Sequence, residues 1–353
     1  MRFALTDPGS LAGAGFDAII DTRSPAEFAV DHLPGAVNLP VLDDAERARV
    51  GTIYVQESRF LARRLGASLV AANIARHLTA PPLSQAGPRF RPLVYCWRGG
   101  QRSGAFAAVL GQIGWQVATL EGGWRAWRRA VVATLYDRPL PAPVVVLDGN
   151  TGTAKTALLA RVAERGVQVI DLEGLARHRG SLFGARPGGQ PAQKAFESAL
   201  AVQVATLDPT RPVLLEAESN KVGDRLIPPA LWQAMCAAPR IAISAPLATR
   251  AAYLAQAYAD IAADAAGLEA TITSLQPFHP RDRIARWQEM AAQGAHAALA
   301  AELMAQHYDP RYARQRARHA TEAAVLETEA LDPAALDRLA DRIIAALPAL
   351  VPA

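Results

Sequence analysis

Cysteine is scarce in this chain: Cys96 and Cys236 are the two among 353 residues, too few for a disulfide framework and in keeping with a reducing compartment. Lysine is nearly as scarce. Arginine supplies 34 of the 37 basic residues, and the three lysines are Lys155, Lys194 and Lys221. No run of about 18 apolar residues occurs, so a membrane span is not expected. Residues 1–8 lack the apolar stretch of a signal peptide, which makes the cytoplasm the expected location. Internal repeats and low-complexity tracts are also missing, and the 51% hydrophobic content suits two globular cores rather than a disordered chain.

The charge is unevenly spread. A formal net charge of +4 conceals a stretch, residues 51–200, with 19 Lys and Arg against 8 Asp and Glu; both flanks are net acidic. Such a basic field suits a polyanionic partner, RNA or a phosphorylated small molecule. It is equally compatible with Arg being the general surface cation of an Ala- and Arg-rich composition. Lysine kept at three places amid this bias points to function, because a compact ammonium and a planar guanidinium are not interchangeable at a phosphate.

Two loops of phosphate-binding size stand out. The first, Cys96-Trp97-Arg98-Gly99-Gly100-Gln101-Arg102-Ser103, includes a nucleophile. The second, Gly149-Asn150-Thr151-Gly152-Thr153-Ala154-Lys155-Thr156, has the form of a P-loop. Each follows an apolar run (92–95 and 144–147) and precedes an Ala- and Leu-rich helical pattern. That order turns unpaired helix N-terminal N–H groups toward an anion. Residues 1–135 alternate strand and helix, with strands expected at 16–21 and 116–120, a short one within 32–40, and a long helical insertion at 44–78. The alternation predicts a parallel sheet covered on both faces. Residues 136–143 hold three prolines and read as a linker. A second α/β pattern begins at residue 144, with strands expected at 167–171, 213–216 and 241–244, and helices dominate from about 247 to the end at 353.

Chemistry assigns roles within the loops. A thiolate attacks or carries a chalcogen, and the N–H groups of the following helix, with Arg98 and Arg102 close by, would lower the Cys96 pKa. Cys236 lies in an apolar helical pattern without cations and reads as structural. The P-loop departs from Gly-x4-Gly-Lys-[Ser/Thr] at Ala154, where a Cβ replaces the second glycine; a loop that binds nothing is the alternative reading. Lys155 can still reach terminal phosphates, and Thr156 can hold Mg²⁺. Asp171 with Glu173, and Glu216 with Glu218, end apolar strands, where ligand crevices gather carboxylates. Either pair could instead cap a helix or form an ion pair. Arg177, His178 and Arg179 suit a phosphate or an RNA backbone, or a solvated turn; with Lys194 and Lys221 they complete a candidate polar site for the second domain. The run Arg311, Arg314, Arg316, Arg318 could lie along RNA, although a charged helix face is the commoner meaning. Trp124 and Trp127 read as packing residues.

The N-terminal half resembles a rhodanese domain. The matching pieces, in that family's order, are Ile20-Asp21-Thr22-Arg23-Ser24-Pro25-Ala26-Glu27-Phe28, His32-Leu33-Pro34-Gly35-Ala36-Val37-Asn38-Leu39-Pro40, the Cys96 loop and Leu120-Glu121-Gly122-Gly123-Trp124. Over nearly the whole chain the pattern resembles bacterial tRNA 2-selenouridine synthases, in which a rhodanese domain is fused to a P-loop domain. Tyr95-Cys96-Trp97-Arg98-Gly99-Gly100, Asp171-Leu172-Glu173-Gly174, Arg177-His178-Arg179-Gly180-Ser181, Gln193-Lys194-Ala195-Phe196-Glu197, Glu216-Ala217-Glu218-Ser219 and His307-Tyr308-Asp309-Pro310-Arg311-Tyr312 carry that match. The resemblance implies an α/β fold: a rhodanese-like parallel-sheet domain at 1–135, then a P-loop NTPase-like α/β domain at 144–353 with a helical C-terminal part.

It further implies a tRNA substrate whose wobble 2-thiouridine is S-geranylated from geranyl diphosphate and then selenated from selenophosphate, with no tightly bound cofactor. Cys96 would carry selenium as an S-selanylcysteine, and Arg98, Gly99, Gly100, Arg102 and Ser103 would cradle the selenophosphate. The P-loop would hold geranyl diphosphate or a nucleotide. The Cys-x5-Arg spacing from Cys96 to Arg102 resembles the longer loop of rhodanese-fold phosphatases, so a phosphatase or sulfurtransferase fused to a nucleotide-binding domain is a rival. A non-enzymatic RNA-binding protein is another, against which the intact cysteine and both arginines speak.

Overall fold

The computed structural model describes residues 1–316 and 322–350. The chain forms two compact units, Met1–Pro139 with Pro191–Thr206, and Leu140–Gln190 with the residues from Leu207 on. Both are α/β units built on five parallel strands. In the first, β1 (Arg2–Phe3), β2 (Ala18–Asp21), β3 (Ala36–Asn38), β4 (Pro92–Tyr95) and β5 (Ala118–Leu120) lie in the order β1-β5-β4-β2-β3. Central strand β4 is buried along its whole length, and Ile20, Val94, Phe106 and Leu110 form the core beneath the Cys96 loop. The helical insertion expected at 44–78 is a pair of packed helices, Asp44–Gln56 and Arg59–Leu78. Ser58 separates them, its hydroxyl accepting the Leu61 N–H as an N-cap.

In the second unit β6 (Val144–Gly149), β7 (Gln168–Ile170), β8 (Val213–Glu216), a short hairpin of β9 (Lys221–Val222) and β10 (Arg225–Leu226), β11 (Arg240–Ser244) and β12 (Glu322–Glu327) follow. The main sheet runs β12-β11-β6-β8-β7. The P-loop leads from β6 into helix Lys155–Glu164, whose Leu158, Leu159 and Val162 are buried against the sheet and against helix Pro333–Leu350. Each such side chain is worth about 1.5–3 kcal/mol relative to exposure, so helix packing anchors the loop. Strand β12 falls where helix was expected. Its sequence, Glu-Ala-Ala-Val-Leu-Glu, favours helix, yet it pairs in parallel with β11 along the sheet edge: tertiary pairing overrides a weak local preference. No helix among the described residues is long and apolar enough to cross a membrane.

One boundary differs from the expectation that 144–353 forms the second domain. Helix Gln193–Ala205 packs in the first unit instead, burying Phe196, Leu200, Ala201 and Val204. A buried polar network explains why it docks there. Trp127 Nε1 donates to Ser198 Oγ at 2.9 Å, and Ser198 donates in turn to Asp31 at 2.7 Å. Arg128 pairs with Glu197 at 2.6 Å, and the Tyr136 hydroxyl donates to the same carboxylate at 2.9 Å. Without this helix Asp31, fully buried, would lose a donor that holds its charge.

Candidate functional site

Cys96 sits where β4 ends and the chain turns into helix Gln101–Gln112. The turn is tight because two glycines from the β5 side press against it. A Cβ on Gly123 (φ +57) would lie 2.3 Å from the Cys96 carbonyl oxygen and 2.5 Å from the Gly99 nitrogen. With that side chain absent, the Trp124 N–H reaches the Cys96 carbonyl at 2.9 Å and the Arg125 N–H reaches that of Trp97 at 3.1 Å. The loop's own N–H groups are left to face the sulfur. Sγ accepts the Gly100 N–H at 3.3 Å and the Ser103 hydroxyl at 3.2 Å.

Burial alone would push the thiol up; hydrogen bonds from the Ser103 hydroxyl and from the Ser103, Gly100 and Arg98 N–H groups outweigh it, so the Cys96 pKa falls below that of an ordinary thiol. Among the expected cradle residues, Arg98 is exposed on the loop, whereas Arg102 pairs with Glu27 at 2.6 Å. Both partners are partly solvated, and such pairs are worth about 0–1 kcal/mol, so an anion at the loop can draw Arg102 away cheaply. Trp97 stacks on Trp124 at 4.5 Å, and Lys194 Nζ stands 5.6 Å from the Trp124 ring. Lys194 therefore belongs to the first unit, beside the cysteine loop, and not to a polar site of the P-loop domain. Trp124 and Trp127 are buried as packing residues.

The P-loop adopts a phosphate-binding shape around its alanine. Ala154 holds φ +60 and ψ +28, the left-handed conformation usually given to glycine, with its methyl group packed into the apolar core of Val145, Leu147 and Leu158. That burial offsets the backbone strain. Lys155 Nζ donates to the Gly149 carbonyl at 2.9 Å and lies 5.7 Å from the Tyr312 ring. Thr153 is buried, its hydroxyl donating to the Asn150 carbonyl at 2.9 Å. Thr151 and Gly152 are held by Arg250, a residue that no local motif marks. Arg250 donates to the Thr151 carbonyl at 3.0 Å and forms a two-pronged pair with Asp309 at 3.1 and 2.8 Å. A Cβ on Gly152 would meet the Arg250 carbonyl at 2.8 Å. Arg250→Met should cost about 2–3 kcal/mol, below the full penalty for breaking a buried pair because Asp309 keeps some water. Thermal and urea melts of the two proteins measure it, and an unchanged midpoint would remove Arg250 from this role.

The strand-end carboxylates divide by task. Asp171 is spent as an N-cap, accepting the Gly174 N–H at 2.7 Å. Glu216 is fully buried and accepts the Glu173 N–H at 2.8 Å; burial, then the nearby Asp171 charge, pushes its pKa well up. Glu173 accepts the Thr156 hydroxyl at 2.9 Å. Its own pKa is raised by burial. Burial and the facing Glu173 push Glu218 to about 8.

Glu173, Glu218, Lys155, Thr156 and Arg179 share one cleft with the P-loop. Arg177 and His178 form the turn behind it: Arg177 ends a helix in a left-handed conformation, and His178 accepts the Gly180 N–H at 3.2 Å. Lys221 is exposed on the β9–β10 hairpin. Arg186, Ser181, Tyr258 and Tyr312 also line the cleft and were not singled out from sequence. Ser181 and Tyr312 fall inside motif-matching segments, a signal that could have found them; Tyr258 has none. Of the basic run, Arg311 stands over the Phe278 ring at 4.5 Å, and Arg318 lies outside the described residues.

Two family profiles match the chain. A family profile described as the tRNA 2-selenouridine synthase AAA domain matches residues 142–279, and a rhodanese-like domain profile matches residues 9–130. A tRNA 2-selenouridine synthase of Verminephrobacter eiseniae is 36% identical over 328 residues, covering 84% of this chain and 88% of that protein. Namesakes from Chromohalobacter salexigens and Alcanivorax borkumensis are 39% and 40% identical over 69% and 66% of this chain. Those two alignments span 65% and 64% of the relatives' own lengths.

Proposed function

The chain belongs to the tRNA 2-selenouridine synthase family, and from that membership we propose that it exchanges the sulfur of a wobble 2-thiouridine in tRNA for selenium in two steps. In the first, the thiocarbonyl sulfur attacks C1 of geranyl diphosphate. A sulfur–carbon bond forms, the allylic carbon–oxygen bond breaks, and diphosphate leaves with the electron pair. Gly149, Asn150, Thr151, Gly152, Thr153, Ala154, Lys155 and Thr156 receive it, with fixed N–H groups and one ammonium set where negative charge grows. In the second step selenium from selenophosphate takes the place of the geranylthio group, which departs as geranyl thiol. Selenide-level selenium cannot become the outer atom of an S–Se bond without a two-electron oxidant, so Cys96 acts at the donor's phosphorus. Its thiolate attacks, an S–P bond forms, the P–Se bond breaks, and selenide leaves with the electron pair to displace the geranylthio group. Water then returns the S-phosphocysteine to thiol and phosphate, while Arg98, Gly99, Gly100, Arg102 and Ser103 hold the donor's phosphate.

Glu173 accepts the Thr156 hydroxyl and Glu218 lines the same cleft; burial raises both pKa values, and a cation between them would favour their charged forms. This oxygen set fits Mg²⁺, which commonly takes one or two carboxylates and completes its shell from a substrate's phosphates. Bound there, the ion would supply charge neutralisation for the departing diphosphate.

The observation that carries the reading is the hydrogen-bonded, acidified Cys96 thiol in one unit together with the Lys155–Thr156 grip in the other. The direct test is mass spectrometry of wobble nucleosides after incubation with thiolated tRNA, geranyl diphosphate and selenophosphate. The expected products are S-geranyl-2-thiouridine and then 2-selenouridine. Release of phosphate from aryl phosphates with no change in the nucleosides would replace this reading by a phosphatase.

A further inference from the structure

The P-loop cleft does not end at the phosphate-binding backbone. Thr151, Ser181, Leu254 and Tyr258 line it and also form the mouth of an adjoining cavity within the same unit. Beyond that mouth the wall is hydrocarbon, made by Phe183, Leu268, Leu299, Leu303 and Met304, with His296 and Tyr308 as its polar members. A nucleobase there would leave ring nitrogens and exocyclic groups short of partners, which is costly in a buried apolar site. A branched hydrocarbon chain asks only for apolar contact. An anion grip joined to an apolar cavity selects a molecule with a diphosphate head and a hydrocarbon tail.

We propose that this cavity binds the hydrocarbon tail of the allylic diphosphate whose head lies on the P-loop, and that Ala255 and Ala300 on its wall set the chain length it accepts. The inference rests on reading the P-loop as a diphosphate grip. Each buried methylene is worth about fourfold in affinity, so the five carbons that separate a geranyl from a dimethylallyl chain could amount to roughly a thousandfold. With Ala262 also on the wall, Ala255 and Ala300 leave room for those carbons that larger residues would fill. Phenylalanine at either position would fill it.

Calorimetric titration of the full chain with inorganic diphosphate, dimethylallyl diphosphate, geranyl diphosphate and ADP tests the assignment. Wild type should bind geranyl diphosphate at least about a hundredfold tighter than inorganic diphosphate, with ADP showing no such gain. Ala255→Phe, at a half-buried position, and Ala300→Phe, at a buried one, should weaken geranyl binding tenfold or more while inorganic diphosphate binds as before. If wild type binds inorganic diphosphate but gains nothing from the geranyl chain, the tail site is overturned alone. The same follows if Ala255→Phe, shown folded by its melting curve, binds all four probes as wild type does. If neither inorganic diphosphate nor geranyl diphosphate binds wild type, the head-group reading falls with it.

Discussion

Cys96→Ser should stop selenium incorporation, by roughly 10⁴-fold or more as for removal of other enzymic nucleophiles, while S-geranylated tRNA still forms and accumulates. Serine keeps the size of the side chain and can accept from the same Gly100 N–H and Ser103 hydroxyl that now meet Sγ at 3.3 and 3.2 Å. What it loses is the soft atom with an accessible anion. The N–H and hydroxyl donors overcome the penalty of burying the Cys96 thiolate, whereas a serine hydroxyl stays protonated near neutral pH even with the same donors.

A milder variant separates acidity from structure. Ser103→Ala removes the strongest of those donors, so the thiol pKa rises. Because the thiolate fraction grows with pH, the rise of selenation rate with pH should move to higher pH in the variant, with the alkaline plateau preserved. Nucleoside mass spectrometry across a pH series reads both outcomes; a Ser103→Ala profile superimposed on wild type would show that the hydroxyl does not tune the sulfur.

The reactive loops were legible from sequence because each is local: a strand, a short string of special residues, and a helix start, all contiguous between 92 and 112 or 144 and 164. Their supports were not, because each is made by residues far apart in the chain. Gly123 fits against Cys96 only once β4 and β5 are neighbours. Arg250 reaches Thr151 and Asp309 across 99 and 59 positions. Helix Gln193–Ala205 leaves the second unit's run of chain to satisfy Asp31, 167 residues before Ser198. Spacing cannot show that, nor that Lys194 belongs with the first unit. Glu173 and Glu218 were visible as strand-end acids, but the separation of their duties from those of Asp171 and Glu216 depends on which N–H groups each one meets.

Lys155→Ala should do the reverse of Cys96→Ser: S-geranylation is lost, and tRNA that already carries the geranyl group is still selenated. Lys155 Nζ now rests on the Gly149 carbonyl, over the face of Tyr312 and inside the same cleft as the loop N–H groups, so it is poised to exchange that carbonyl for a diphosphate oxygen. Removing one such charge-stabilising donor costs roughly 10²–10³ in rate, and more here because the leaving group is a polyanion in a cleft shared with two carboxylates. Arginine should not restore full activity, since a forked guanidinium cannot take the place of a compact ammonium 2.9 Å from a loop carbonyl. The assay feeds each variant first thiolated and then pre-geranylated tRNA and follows the nucleosides by mass. Intact geranylation by Lys155→Ala, with only nucleotide binding lost, would remove the diphosphate from the P-loop. Failure of Lys155→Ala and Cys96→Ser at one and the same step, with both proteins folded, would end the division of labour between the two loops.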